Sequence, residues 1–234
     1  MNGNALQTPQ TRPRGTRPSV EVLVASSVIG CRSALETDFA LLDRVEEDGA
    51  PAAVRVWTCS AATVVIGVGQ DPAREVDLEH CRCRGTGVLR RASGGGAVVI
   101  GPGTVQYAFA LPYALSPSLS DIGASKLLCN SMLTNALARC GIGAGLHADH
   151  GGDLRIGDRK AGGLALRRRR RAMLLHGTIL AQADIEELAR TLRHPSREPG
   201  YRSGRAHEDF LVNLGAIDEA QLEAELAASL QRLR

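Results

Sequence analysis

Lysine is almost absent from this sequence of 234 residues. Only Lys126 and Lys160 are lysines among its 28 basic residues, and the others are arginines. An ammonium is a compact point charge on a flexible stem, whereas a guanidinium is a rigid planar fork. Lys160 lies in the segment "IGDRKAGG", shortly before five consecutive arginines at 167–171. Composition alone allows two interpretations of Lys160. It could be a lysine that is present by chance in an arginine-rich chain, or it could lie at a site that requires an ammonium group.

Aromatic residues and long apolar runs are also scarce. Aromatics make up 3% of the chain, which leaves few rings for stacking against unpaired bases. No segment approaches the roughly 18 consecutive apolar residues of a membrane-spanning helix. Residues 1–20 lack the basic start and apolar run of a signal peptide. We therefore expect a cytoplasmic protein without membrane contacts, and a nucleic-acid partner is disfavoured.

Acidic residues are missing from residues 1–20, which contain three arginines and several threonines, prolines and glycines. This composition indicates a disordered basic tail, with a transit peptide as the alternative. Residues 21–234 belong to a chain with 44% hydrophobic and 23% charged residues, ordinary values for a globular protein. They contain no repeat and no linker that would divide them. We expect one domain there.

The six cysteines form no recognisable framework. Cys81 and Cys83 lie beside His80, but no second pair follows at the spacing of a metal site. We expect free thiols in a reducing cytosol. His147, Asp149, His150 and Asp153 could also suggest a metal site, but a glycine-rich polar loop is the commoner explanation.

The net charge of +3 is unevenly distributed along the chain. Residues 155–171 contain eight basic residues and one acid, and residues 190–205 contain five arginines and one acid. From Glu208 onwards the chain is acidic. Basic segments of this kind predict an anionic partner, which could be a nucleic acid or a smaller anion.

Hydrophobic patterning predicts a mixed α/β or α+β domain. Strands are predicted at 54–57, 63–66, 88–92, 97–100, 104–111, 153–156 and 173–181. Helices are predicted at 74–84, 123–139, 184–193 and 218–233.

The segment "RRASGGG" at 90–96 is the first candidate site. Three successive glycines between strands leave backbone amides exposed and allow a ligand to approach the chain closely. Arg90 and Arg91 add positive charge beside this turn. The segment is neither a Walker loop nor a dinucleotide fingerprint, because the glycine spacing differs and a strand follows. A plain hairpin turn is the alternative, but the two arginines favour an anion site.

Two further segments, "GDLRIGDRKAGG" and "HGTIL", follow in order. Together the three resemble the motifs of the lipoate–protein ligase A family, in the biotin/lipoate ligase superfamily. Its pattern is Arg-Arg-x-x-Gly-Gly-Gly, then an Asp-led segment ending in Lys-x-x-Gly, then His-Gly-Thr. The segment "PSREPGYRSGRAHEDFLVNL" also resembles the one that closes this domain in some members. The resemblance covers roughly residues 35–215, and three ordered motifs are far more specific than one.

This resemblance implies a single α+β domain with a central mixed β-sheet flanked by helices, an apolar tunnel for an acyl chain, and a nucleotide site. It implies an ATP-dependent ligase that activates lipoate or octanoate as an acyl-adenylate and transfers it to an acceptor lysine. ATP and Mg²⁺ would be required. Lys160 would be the catalytic cation, and Asp153 would hold either Lys160 or the magnesium ion. The other residues expected at the substrate and ATP sites are Arg90, Arg91, Ser93, Gly94, Gly95, Gly96, Gly162, His176, Gly177 and Thr178.

The resemblance also implies partners and leaves alternatives open. The acceptor would be an acidic lipoyl domain or a protein like the glycine-cleavage H protein, and a separate small subunit could be required. The family often has asparagine where this chain has Gly152. An octanoyl transferase is the alternative within the superfamily, but it needs a cysteine nucleophile, and none follows Cys140. A basic nucleic-acid-binding module is the rival from a different class.

Overall fold

The computed structural model describes residues 30–233, so the predicted basic tail at 1–20 lies outside the described residues. The described part contains seven α-helices and nine strands. The helices are α1 Cys31–Glu47, α2 Pro72–Glu75, α3 Leu78–Arg84, α4 Ile122–Arg139, α5 Ile185–Thr191, α6 His207–Phe210 and α7 Glu219–Gln231. The strands are β1 Ala53–Trp57, β2 Thr63–Ile66, β3 Gly87–Arg90, β4 Val98–Ile100, β5 Thr104–Pro112, β6 Leu146–Ala148, β7 Leu154–Ile156, β8 Arg159–Arg168 and β9 Ala172–Leu180.

The strands form two sheets. The larger has six strands in the order β1-β5-β9-β8-β7-β6, and every neighbouring pair is antiparallel. The smaller has the order β3-β2-β4, with β2 parallel to β3 and antiparallel to β4. The predicted α+β class is therefore confirmed. The mixed pairing that we expected in the central sheet occurs instead in the small one.

The side chains of β5 point alternately to the two faces of the large sheet, and helices pack against both faces. Tyr107 and Phe109 point into a core shared with α4 and α7. Ala108 and Ala110 point to the opposite face, where α1 packs through Leu41, Leu42 and Val45. Successive side chains of a strand face opposite sides, so bulky and small residues here serve two different packing surfaces. The small alanines allow α1 to lie close to the sheet.

A buried ion pair fastens α1 to the sheet. Arg55 Nη1 on β1 lies 2.7 Å from Asp38 Oδ1 on α1, and both side chains are 1% exposed. Trp57 Nε1 donates to the other Asp38 oxygen at 3.2 Å. Removing one partner of such a pair typically costs about 3–5 kcal/mol, because the remaining charge is left buried. Asp38 is therefore fixed in position between β1 and β9, where its second oxygen lies 3.8 Å from His176 Nδ1.

Most predicted elements are found within a few residues of their expected bounds. Aspartate side chains cap α4 and α7, where Asp121 accepts from the Ala124 amide and Asp218 from the Gln221 amide. Such caps contribute about 1 kcal/mol each. The predicted helix at 74–84 is interrupted, because Val76 is extended and forms a bridge with Leu192. Helices α1 and α6 and strands β6 and β8 were not predicted.

The expectation of free thiols is wrong for two cysteines. Cys31 and Cys59 are disulfide-bonded, with their Cα atoms 5.8 Å apart. The two residues are 28 positions apart, and their contact depends on α1 packing beside the end of β1. The other four cysteines, Cys81, Cys83, Cys129 and Cys140, are free thiols as expected. Among the described helices, none is long and apolar enough to cross a bilayer.

Candidate functional site

The glycine-rich segment at 94–96 forms a turn between β3 and β4. Gly95 has a φ of +90°, and a Cβ atom there would lie 2.9 Å from Arg91 Nη2. A Cβ at Gly67 would lie 2.2 Å from the Gly95 carbonyl oxygen. Both the backbone conformation and the close approach of two chain segments therefore require glycine. The conformation of the loop is therefore constrained by Arg91 and by the backbone at Gly67.

Arg91 holds this loop from within. Its side chain is buried, and it donates to the carbonyl oxygens of Val65, Gly94 and Gly96 at 2.6–3.1 Å. Burial lowers the pKa of the Arg91 guanidinium to about 10. These bonds give Arg91 a structural role in the loop, and its expected contact with phosphate stays a prediction.

Arg90 holds a neighbouring turn. It donates through Nη1 to the carbonyl oxygens of Gly67, Val68 and Gln70 at 2.7–3.1 Å. Arg90 does not line the cavity described below. Its expected contact with phosphate also stays a prediction.

Ser93 and His176 connect the loop to the large sheet. Ser93 Oγ lies 2.7 Å from His176 Nε2, and both residues are buried. His176 Nδ1 lies 3.8 Å from Asp38 Oδ2, and the Phe39 ring packs edge-on against the imidazole. His176 faces the α1 side of β9, opposite Ala108 of β5. Helix α1 thus contributes directly to the site, which the sequence motifs did not indicate.

Lys160 lies near the start of β8, where its ammonium is paired with a carboxylate. Lys160 Nζ is 2.7 Å from Asp153 Oδ1. The second oxygen, Asp153 Oδ2, accepts a hydrogen bond from the Tyr201 hydroxyl at 2.8 Å. Of the two roles expected for Asp153, the structure therefore shows the lysine contact.

Small residues on β8 and β9 leave room for this pair. A Cβ at Gly163 would lie 3.0 Å from Lys160 Nζ and 3.2 Å from Asp153 Oδ1. A Cβ at Gly177 would lie 2.4 Å from the Gly163 carbonyl oxygen, and one at Gly162 would lie 2.6 Å from the Thr178 carbonyl oxygen. Gly163 is the last glycine of the Lys-x-x-Gly motif but was not among the expected site residues, and it is as closely involved as Gly162 and Gly177.

These residues surround a cavity of about 410 Å³. Nine of the twelve predicted site residues line it, namely Arg91, Gly95, Gly96, Asp153, Lys160, Gly162, His176, Gly177 and Thr178. Arg90, Ser93 and Gly94 do not line it. Apolar side chains from two core clusters complete the walls: Leu35, Trp57, Val65 and Ile100 from one, and Leu180, Leu188, Leu192, Phe210 and Leu211 from the other. The cavity is therefore lined by both charged groups and apolar side chains, as a site for an amphipathic acid requires.

The described residues do not form a preformed magnesium site. They contain no group of three or more His, Cys, Asp or Glu residues that could hold a metal ion. Asp153 already binds Lys160 with one oxygen and Tyr201 with the other. Both oxygens of Asp153 are therefore engaged by protein groups, and Asp153 alone does not make a magnesium site.

No cysteine lines the cavity within the described part of the chain. Cys140 lies at the end of α4 and packs against the main core, and burial raises the pKa of its thiol. A nucleophilic cysteine normally has a lowered pKa and access to its substrate. Cys140 has neither property in this structure.

The five arginines at 167–171 are mostly engaged with nearby groups. Arg168 donates to the Tyr113 hydroxyl and the Ser120 carbonyl. Arg169 pairs with Asp43 at 2.6 Å, and Arg171 contacts Glu46. Only Arg169 forms an ion pair with an acidic side chain of α1, so most of the positive charge that the sequence places here is not paired within the described residues.

Residues 31–222 match the family described as the lipoyl protein ligase A/B catalytic domain. The lipoate-protein ligase A of Psychrobacter cryohalolentis is 32% identical over 174 residues, which is 70% of this chain and 48% of that protein. A provisionally named lipoate-protein ligase A of Aeropyrum pernix is 32% identical over 151 residues, which is 64% of this chain and 54% of that protein. The chain thus spans about half the length of these curated relatives.

Solved structures share the fold. The lipoate protein ligase of Thermoplasma acidophilum, described as bi-partite and studied with its E2 lipoyl domain, superposes with a TM-score of 0.71 at 20% identity, over 92% of this chain and 84% of that one. A Thermoplasma acidophilum structure described as a lipoate protein ligase with bound lipoic acid has a TM-score of 0.67 at 20% identity, over 92% of this chain and 85% of that one. A lipoate-protein ligase A bound with ATP has a TM-score of 0.61 at 21% identity, over 93% and 84%. Since the family match covers most of the sequence, the chain belongs to the lipoyl protein ligase A/B catalytic-domain family.

Proposed function

We propose that this domain is an ATP-dependent lipoate–protein ligase. It would activate lipoate, or octanoate, as the acyl-adenylate and transfer the acyl group to a lysine of an acceptor protein. The observation that carries this proposal is the position of Lys160, whose side chain lines a cavity bounded by the glycine loop on one side and apolar walls on another. The relatives named as lipoate-protein ligases, and the related structures with lipoic acid and ATP, support the same reaction.

The first step joins two anions. A carboxylate oxygen of the acid attacks the α-phosphorus of ATP, the bond to the leaving oxygen breaks, and pyrophosphate departs. Lys160 would donate hydrogen bonds both to the carboxylate and to the α-phosphate oxygens, because an ammonium can turn its three donors between them. The exposed amides of residues 94–96 would face the phosphates, and the apolar walls would hold the acyl chain. Preorganised groups of this kind each contribute about 10²–10³ in rate.

The second step transfers the acyl group. The acceptor amine attacks the acyl carbon, the bond to the phosphate oxygen breaks, and AMP leaves as the amine loses a proton. The acceptor would be an acidic lipoyl domain or a protein like the glycine-cleavage H protein. Because the related Thermoplasma ligase is bi-partite, a separate small subunit belongs in the test. Magnesium would enter with the nucleotide rather than on a prepared protein site.

One assay tests this proposal. Purified protein is mixed with ATP, lipoate and a lipoyl domain, with and without an accessory subunit, and the acceptor mass is measured. We expect a mass increase of one lipoyl group and release of pyrophosphate. A parallel reaction with octanoyl acyl carrier protein and no ATP tests the transferase alternative. Acyl transfer only from the carrier protein would reject the ligase proposal.

A cysteine variant sharpens this distinction. Cys81, Cys83, Cys129 and Cys140 are replaced by alanine, and Cys31 and Cys59 are kept. We expect activity with free lipoate and ATP to persist, because no cysteine lines the described cavity. Loss of activity in a folded Cys140→Ala variant, with a thioester trapped on the parent protein, would favour the transferase.

A further inference from the structure

Tyr201 is the second partner of the carboxylate that holds the catalytic lysine. Asp153 presents one oxygen to Lys160 Nζ at 2.7 Å and the other to the Tyr201 hydroxyl at 2.8 Å. A carboxylate bound through one oxygen can still rotate about its terminal torsion, which has a broad energy profile. A hydrogen bond to the second oxygen removes that freedom. The direction in which Lys160 points is therefore constrained by a residue that does not contact it.

The ring of Tyr201 is itself held on two sides. The Arg155 guanidinium lies 3.7 Å from the ring centroid, and the Phe210 ring packs against it at 5.2 Å. Burial and the negative charge of Asp153 raise the pKa of the Tyr201 hydroxyl, so it remains a hydrogen-bond donor at neutral pH. Tyr201 thus presents its hydroxyl to Asp153 from a fixed position.

The same part of the chain also holds the backbone of Lys160. The Val212 amide donates to the Lys160 carbonyl oxygen at 2.9 Å, and Leu211 forms a parallel bridge with Lys160. Arg205 pairs with Asp158 at 2.8 Å, just before the lysine. Residues 201–212, which we call the closing segment, therefore fix both the main chain and the side-chain partner of Lys160.

We propose that Tyr201 is a positioning residue, which orients the Lys160 ammonium through Asp153 and couples it to the closing segment. This inference rests on the catalytic role proposed for Lys160. It adds that the hydroxyl of Tyr201, rather than its ring, controls how the ammonium is presented to the reacting oxygens.

The scarcity of lysine provides a test that does not depend on activity. The full chain contains only Lys126 and Lys160, so acetylation by acetic anhydride can be followed at each lysine by mass spectrometry. We expect Tyr201→Phe to raise the acetylation rate of Lys160 relative to Lys126 by roughly threefold to tenfold, because the carboxylate holds the ammonium less firmly. Asp153→Asn should have a similar effect, and adding Tyr201→Phe to it should change nothing more.

The same variants are then compared in adenylate formation. We expect Tyr201→Phe to lower kcat by roughly tenfold while the KM values for ATP and lipoate change little. Tyr113→Phe is the matched control, since its hydroxyl contacts the Arg169 carbonyl away from the cavity. Each variant is first checked for an unchanged melting temperature.

Two results would overturn the inference. One is a Lys160 acetylation rate that is the same in Tyr201→Phe and in the parent protein. The other is an effect of Tyr201→Phe that persists in full when Asp153 is already asparagine. If the parent protein proves inactive with ATP and lipoate, the proposed function fails, whereas the acetylation experiment still decides the role of Tyr201. Asp153→Asn leaves the Tyr201 ring unchanged. If Tyr201→Phe is unstable, the Lys160 acetylation rate can therefore still be compared between Asp153→Asn and the parent protein.

Discussion

Ser93 Oγ and His176 Nε2 lie 2.7 Å apart and join the glycine loop of the small sheet to strand β9 of the large one. Both residues are buried, with Ser93 0% and His176 6% exposed. The residues are 83 positions apart in sequence. The contact therefore fixes the distance between the loop and the strand that flanks Lys160.

Ser93→Ala should loosen the glycine loop. The change leaves the His176 ring nitrogen without its buried partner, which typically costs about 1–3 kcal/mol of unfolding free energy. We expect a lower melting temperature and a KM for ATP raised by roughly tenfold, with a smaller effect on the KM for lipoate. Thermal denaturation and steady-state kinetics provide the measurements. Ser131→Ala on the exposed face of α4 is the control, and equal effects of both variants would contradict the prediction.

Replacement of Lys160 should remove adenylate formation while the fold is kept. We expect Lys160→Ala to reduce the rate of pyrophosphate release by about 10²–10³. Lys160→Arg should also be impaired, because a planar guanidinium cannot divide its donors between two anions in the same way. Lys126, the other lysine of the chain, also lines the cavity and donates to the Gly151 carbonyl oxygen at 3.1 Å, and we expect Lys126→Ala to lower the rate far less than Lys160→Ala. A Lys160→Ala protein that releases pyrophosphate near the parent rate would show that Lys160 is not catalytic.

Gly163→Ala tests whether the Lys160–Asp153 pair needs the space beside it. The added Cβ would lie 3.0 Å from Lys160 Nζ, so the ammonium must shift by a few tenths of an ångström. We expect kcat for adenylate formation to fall by roughly tenfold, because small misplacements of reacting groups strongly reduce the rate. Stability should change little, since the displaced atoms end a flexible side chain. Gly87→Ala, where the nearest atom is 4.0 Å away, should behave like the parent.

The exposed arginines at the end of β8 and in the turn to β9 should assist docking of an acidic acceptor. Among the described residues the Arg170 side chain makes no hydrogen bond or ion pair, and the Arg167 side chain makes only a 3.4 Å contact with the Ala92 carbonyl. We expect the Arg167→Gln, Arg170→Gln double variant to raise the acceptor KM by roughly threefold to tenfold at low salt, with less effect at high salt. Adenylate formation should be unchanged. Arg169→Gln, which breaks a local pair with Asp43, should affect the acceptor KM less.

If the turn instead serves nucleic acid, the same double variant will behave differently. Binding of the parent protein to DNA or RNA would then fall steeply with salt and would be lost in the variant. Unchanged acceptor kinetics together with that loss would reject the docking prediction.

The amino-acid sequence by itself determined the local features of this protein. Three successive glycines between β-branched residues predicted the turn at 94–96, and apolar spacing predicted α4 nearly to its ends. The scarcity of lysine drew attention to Lys160, and the order of three motifs indicated the family. The turn and the helix are each specified within one short segment, where backbone preference and side-chain spacing decide the structure.

The tertiary structure alone decided the partners of those residues. Arg91 could have met phosphate or carbonyl oxygens, because a guanidinium binds both, and only the folded loop shows three carbonyls around it. Asp38 reaches His176 through α1, and Tyr201 reaches Asp153 across 48 positions of sequence. Such contacts depend on the order of strands and on which helix covers each face of the sheet. Local propensity carries no information about them, since they are fixed by the packing of segments that are distant in the chain.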